Sequence, residues 1–77
     1  MKRRKMFCKL AVLMAEKDPQ LSQRQLAKET GLSPTTINKL FTNKFERVDN
    51  NTIETLCGYF DKEIGDLLVL RDVEKIN

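Results

Sequence analysis

Apolar residues recur at helical spacing along most of this chain and predict five helices. Phe7, Leu10 and Met14 follow the i, i+3, i+7 positions of one helical face. No segment shows the alternation that is typical of a strand. The predicted helices span about residues 4–16, 23–30, 33–42 and 64–70, with a further helix after residue 50 that Asn50 or Asn51 is expected to cap. The predicted fold class is therefore all-α, a compact five-helix bundle.

Several residues mark the ends or contacts of these helices. Ser22 is expected to cap the second helix, with Gln25 completing a capping box. In the fourth helix, Glu54 suits a capping box with Asn51. Gly58 inside that helix costs about 1 kcal/mol relative to alanine, so we expect a close helix contact there. The fifth helix is expected to bury Ile64, Leu67 and Leu68.

Residues 23–42 predict two short helices that cross at close range. Ala27 suits a crossing point without room for a larger side chain, and Gly31 suits a turn that needs φ > 0. Ile37 would attach the pair to the rest of the domain. A bare helical hairpin would not need this set of residues at this spacing. The pattern therefore predicts a DNA-binding helix-turn-helix with residues 33–42 as its recognition helix.

The charge distribution favours a polyanionic partner. Residues 1–45 carry ten Lys or Arg against three Asp or Glu, whereas residues 46–77 carry four against eight. A basic half suits double-stranded DNA, and the acidic half should stay away from it. The alternative is that small domains often carry uneven charge. Seventy-seven residues allow one small domain.

The sequence offers no chemistry for catalysis. It has no histidine, and Cys8 and Cys57 stand 49 positions apart, which fits neither a metal site nor a Cys–His nucleophile pair. We therefore expect no enzyme activity, cofactor, metal or small-molecule ligand. Both cysteines lie on helical patterns beside apolar residues and are expected to be reduced core side chains.

The N-terminal segment superficially resembles a signal peptide. Lys9 interrupts its apolar run, however, and charged residues 16–18 stand where small cleavage-site residues would be needed. No stretch approaches the ~18 uncharged apolar residues of a membrane span. We expect a cytoplasmic protein without membrane contact.

Four segments occur in the order and spacing of a known family: residues 21–27 (LSQRQLA), 31–40 (GLSPTTINKL), 53–60 (IETLCGYF) and 64–68 (IGDLL). Over about residues 6–70, the chain resembles the phage-repressor/Cro-type (XRE-type) helix-turn-helix regulators. The resemblance implies a lambda-repressor-like DNA-binding fold. The chain departs from the family at Phe41 to Asn43, where Glu, a polar residue and Gly are usual. Asn43 is expected to take the left-handed conformation of that glycine.

One outward arc of the recognition helix carries the candidate base contacts. The resemblance assigns Pro34, Thr35 and Lys39 to base-contacting positions, and Asn38 lies on the same arc. Lys39 can donate to guanine, and Asn38 can bridge adenine N6 and N7. Thr35 and Pro34 can pack on a thymine methyl group. The alternatives are a solvated surface for Thr35 and Asn38, and a phosphate contact for Lys39.

Phosphate contacts are expected around both helices of the pair. By resemblance, Gln23 reaches a phosphate and braces the recognition helix. Ser33 and Thr36 match hydroxyl donors, although Ser33 is alternatively only a helix cap. Basic side chains that could extend the footprint are Lys9, Lys44 and Arg47.

We divide the chain into a basic arm (residues 1–5), a DNA-binding domain (6–70) and a C-terminal tail (71–77). The arm either contacts DNA or only aids solubility. The predicted function is a sequence-specific transcriptional repressor that binds a palindromic operator as a homodimer. The alternative is a protein-interaction module of antitoxin or antirepressor type. Unless the tail is frayed, an apolar cluster would carry the dimer contact: Val69, Leu70, Val73 and Ile76.

Overall fold

The computed structural model describes residues 3–73. These residues form five helices and a two-stranded antiparallel sheet. In chain order, the elements are β1 (Arg4–Cys8), α1 (Leu10–Lys17), α2 (Gln23–Thr30), α3 (Pro34–Thr42), α4 (Asn50–Phe60), α5 (Ile64–Leu67) and β2 (Leu68–Asp72). All five predicted helices are present, which confirms the helical fold, but it is not purely all-α because β1 pairs with β2.

Two of the predicted helices are shorter than expected. The helix predicted over residues 4–16 begins only at Leu10, and the residues before it form β1. The helix predicted over residues 64–70 ends at Leu67, where β2 follows directly. The strand partners lie 60 to 68 positions apart in the sequence. Local periodicity could not indicate their pairing, because strand formation depends on the cross-strand neighbours.

The strand pair includes residues that were assigned to the basic arm and to the tail. Lys5 pairs with Arg71 and Arg4 pairs with Asp72, whose Oδ1 lies 3.7 Å from the Arg4 Nε. The alternative of a frayed tail is therefore wrong for Arg71 and Asp72, which belong to β2. Ile76, predicted to contribute to a dimer contact, lies outside the described residues.

Backbone hydrogen bonds show which residues of β1 direct their N–H and C=O groups toward β2 and which direct them away from it. The Val73 N–H donates to the Arg3 carbonyl at 2.9 Å, and the Lys9 N–H donates to the Leu67 carbonyl at 2.7 Å. Hydrogen-bonded and non-hydrogen-bonded pairs alternate along an antiparallel ladder. The backbone N–H and C=O of Cys8 therefore point away from β2, toward the outer edge of β1.

Asn43 occupies this outer edge. Its Oδ1 accepts the Cys8 N–H at 2.7 Å, and its Nδ2 donates to the Cys8 carbonyl oxygen at 3.1 Å. Asn43 follows α3 with φ of 60°, so the expected left-handed residue is confirmed. The end of the recognition helix is thereby attached to β1, a link that the sequence did not indicate.

One hydrophobic core joins the helices to the strand pair. Its fully buried side chains are Cys8, Leu10, Leu26, Ile37, Leu40, Leu56 and Leu67. Phe45 and Val48, in the connection before α4, pack against this core. Of the residues predicted to be buried by α5, Leu67 is fully buried and Leu68 is half-buried, but Ile64, at the first position of the helix, is 60% exposed. Both cysteines are free, and burial raises the pKa of the Cys8 thiol, which lies in a strand rather than in the expected helix.

Helix α4 begins differently from its prediction. Asp49, rather than Asn50 or Asn51, caps the helix, and its Oδ1 accepts the Thr52 N–H at 2.8 Å. Hydrogen bonding from Thr52 lowers the pKa of Asp49. The expected close helix contact at Gly58 is also wrong, because no neighbouring element lies within 4 Å of the position that a Cβ would take.

Candidate nucleic-acid interface

Helices α2 and α3 form the predicted helix-turn-helix. Gly31 ends α2 with φ of 76°, the left-handed turn expected of it, and Ala27 is buried in the core. The Ser22 hydroxyl accepts the Gln25 N–H at 3.0 Å, which confirms the cap of α2. The side chain of Gln25 donates to Glu29 one turn later, so the predicted capping box is not completed.

Ser33 organises the first turn of α3. Its Oγ accepts the N–H groups of Thr35 at 3.2 Å and Thr36 at 3.5 Å, while Pro34 occupies the first helical turn. Ser33 is therefore the helix cap. Because its exposed hydroxyl acts there as an acceptor, its own proton remains available to an external acceptor.

The outer face of α3 is exposed and polar. The four predicted base-contacting residues are exposed together: Pro34, Thr35, Asn38 and Lys39. Ile37 and Leu40, on the opposite face, are buried. The helical spacing thus correctly indicated which residues share the outer surface, called here the α3 arc.

A hydrogen bond across the two helices fixes one member of this arc. The Asn38 Nδ2 donates to the Gln23 Oε1 at 3.2 Å. Within residues 3–73, neither amide group makes a second hydrogen bond, so Asn38 keeps an acceptor oxygen and one N–H for a base edge. Gln23 keeps its own amide N–H groups. The bond restricts both side chains before any ligand is bound.

The connection between α3 and α4 forms an open cavity next to the α3 arc. The cavity has a volume of about 700 Å³, and its lining includes Lys39, Lys44, Arg47 and Thr36, together with two carboxylates and three apolar side chains. The structure therefore brings four of the predicted contacts onto one concave surface. Three of these side chains, those of Lys39, Lys44 and Arg47, are positively charged, which suits contact with the phosphate backbone of DNA.

Lys9 lies elsewhere in the fold. It is half-buried just before α1, and its backbone N–H donates to the Leu67 carbonyl. Lys9 is not among the residues that line the cavity. The structure does not bring Lys9 together with the other predicted phosphate contacts.

Comparison with protein families agrees with this geometry. A model of the Cro/C1-type helix-turn-helix DNA-binding domain matches residues 9–72. The chain belongs to this Cro/C1-type family. Comparisons with curated proteins and with solved structures gave no match. The resemblance identified from the sequence is confirmed, and this Cro/C1-type protein is a DNA-binding regulator of transcription.

Two further observations concern residues 3–73 of this Cro/C1-type protein. No helix there has the length and apolar character needed to cross a membrane. No three His, Cys, Asp or Glu side chains are grouped so that they could hold a metal ion.

Proposed function

We propose that this Cro/C1-type protein is a repressor that binds a palindromic operator as a homodimer. The observation that carries the proposal is the exposed, polar α3 arc beside a cavity whose lining includes three cations. A recognition helix of this kind enters the major groove. A two-fold pair places two such helices about 34 Å apart, in successive major grooves. Occupation of an operator that overlaps a promoter then blocks transcription.

Each residue of the α3 arc has a role in this proposal. Lys39 donates to guanine O6 and N7. Asn38, held by Gln23, accepts from adenine N6 and donates to adenine N7. Thr35 and Pro34 pack against a thymine methyl group.

The phosphate contacts divide into neutral and charged donors. Gln23, Ser33 and Thr36 donate hydrogen bonds from the helix-turn-helix itself. Lys44 and Arg47 supply positive charge from the cavity beside the α3 arc. Lys9 contacts the phosphate backbone of the DNA at a different place from Lys44 and Arg47, since it does not line that cavity.

Substitutions on the α3 arc are expected to reduce sequence discrimination. Thr35→Ala and Lys39→Ala should each lose about 1–3 kcal/mol of preference for the operator over random DNA, because a base contact is removed. Competition titrations with both duplexes would measure this difference. Lys44→Ala is the matched control and should weaken both duplexes equally. If Lys39→Ala also weakens both equally, Lys39 contacts phosphate and not a base.

The strand pair supplies an apolar surface for the proposed dimer. Met6 and Leu70 are paired directly across the sheet and are 42% and 52% exposed. Val69 and Val73 lie on the opposite face of the sheet from Leu70; Val73 is 40% exposed and Val69 is half-buried. The outer edge of β1 is occupied at one end by Asn43, so the edge of β2 is the more accessible one for a second copy.

Leu70→Gln is expected to weaken dimerisation. Sedimentation of the free protein at micromolar concentration should show dimers for the natural sequence and monomers for the variant. Val12→Gln is the control, because Val12 is 45% exposed and belongs to α1 rather than to the strand pair. A point substitution is preferable to truncation after Leu68, which would remove most of β2. Unchanged sedimentation of Leu70→Gln, with unchanged stoichiometry on DNA, would contradict this dimer surface.

A further inference from the structure

Two cations face each other in the strand pair, outside the helix-turn-helix. Lys5 of β1 pairs directly with Arg71 of β2, and both side chains are exposed. The alternation of backbone hydrogen bonds makes them a hydrogen-bonded pair, with both side chains on one face of the sheet. Like charges directly opposite each other destabilise a sheet. An anion bound between them would remove this repulsion.

The neighbouring residues leave both cations available. The Arg71 guanidinium carbon lies 3.5 Å from the centre of the Phe7 ring. Stacking on the ring restricts the guanidinium plane and leaves its N–H edge open, which is the geometry that binds phosphate oxygens. Among residues 3–73, neither Lys5 nor Arg71 forms an ion pair, and the Asp72 carboxylate next to them is directed to Arg4.

These cations adjoin the end of the recognition helix. A cavity of about 160 Å³ is lined by Lys5, Phe7, Arg71 and Asn43, together with two apolar neighbours. Asn43 ends α3 and holds the backbone of β1 through two hydrogen bonds. The position of the two cations is therefore fixed relative to α3, and not only relative to each other.

We propose that Lys5 and Arg71 form an additional contact to the phosphate backbone of duplex DNA, next to the groove that α3 occupies. The inference rests on the proposed placement of α3 in the major groove. Arg71 belongs to the acidic C-terminal part of the chain, which the charge distribution alone predicted to stay away from DNA. The inference gives this residue a role in DNA binding. The contact adds affinity for any sequence, because phosphate contacts carry no direct sequence information.

The test compares salt dependence in charge-removal variants. Duplexes would be selected from a random library with the natural protein and compared with random duplexes of the same length. Lys5→Gln and Arg71→Gln should each make the slope of log K against log[salt] shallower by about 0.9, and the double variant by about 1.8. Their preference for selected over random DNA should be unchanged. Lys62→Gln, which removes an exposed cation between α4 and α5, is the control and should leave the slope unchanged.

A conservative variant separates charge from folding. Arg71→Lys keeps the charge but loses the planar group, so its slope should match that of the natural protein. The thermal midpoint of Lys5→Gln should not fall, because that variant removes the repulsion and keeps the stacking of Arg71 on Phe7. A double variant that keeps the natural slope overturns this inference but leaves the proposed function intact. If the natural protein selects no duplex at all, the proposed function fails and the inference fails with it.

Discussion

Asn43→Ala is expected to lower the free energy of unfolding by about 2–4 kcal/mol. The substitution leaves the backbone N–H and C=O of Cys8 without their partner, in a residue that is only 1% exposed. Each of the two hydrogen bonds contributes about 0.5–1.5 kcal/mol, so losing both costs about 1–3 kcal/mol. The left-handed backbone at position 43 adds about 1 kcal/mol to the loss of stability, because alanine takes φ of 60° less readily than asparagine. Urea unfolding monitored by circular dichroism would measure the change.

Asn43→Gly is the control that separates these two contributions. Glycine accepts the left-handed conformation without strain but has no amide group for Cys8. Its loss of stability should therefore be smaller than that of Asn43→Ala and should report mainly the two hydrogen bonds. If Asn43→Gly were as stable as the natural protein, the amide would not be what holds β1 against the end of α3.

A tenfold increase in salt concentration is expected to weaken DNA binding by a factor of about 10⁴·⁵ to 10⁶ per protomer. This range corresponds to about five to seven neutralised phosphates, each contributing about 0.9 to the slope. The cations placed near α3 are Lys39, Lys44 and Arg47 in the cavity, and Lys5 and Arg71 on the strand pair. Fluorescence anisotropy of a labelled duplex at several potassium chloride concentrations would give the slope.

Single variants test how that slope is composed. Lys44→Ala should make the slope shallower by about one unit, because Lys44 lines the cavity beside the α3 arc. Lys62→Gln should not alter it. A flat salt response of the natural protein would contradict phosphate neutralisation, and would favour the alternative in which the fold binds another protein.

The helix-turn-helix could be predicted from the sequence because its signals are local. Ser22 and Ser33 each cap a helix that starts at the next residue, and Gly31 supplies the positive φ between them. The exposed arc follows from the same periodicity, since burial of Ile37 and Leu40 turns the intervening positions outward. These features depend on side chains within a few residues of each other.

The strand pair and its contacts could not be predicted in this way. The run from Met6 to Cys8 suits a helix face as well as a strand, and only the partner residues in β2 decide between them. The bond from Asn38 to Gln23 and the bonds from Asn43 to Cys8 likewise join residues that are distant in sequence. The resemblance indicated that Gln23 braces the recognition helix, but not that Asn38 is its partner, and nothing in the sequence indicated that Asn43 bonds to Cys8.

The position of β1 and β2 in the chain also has a consequence for the order of folding. Pairing them closes a loop of about sixty residues, at an entropic cost of about 4 kcal/mol on a logarithmic estimate. The contacts of α2 with α3 close only short loops and form earlier on this basis. The strands are therefore expected to pair only after the helical core has formed. During unfolding, they are expected to separate before the core does. The helix-turn-helix can then remain folded during brief openings that expose the proposed dimer surface.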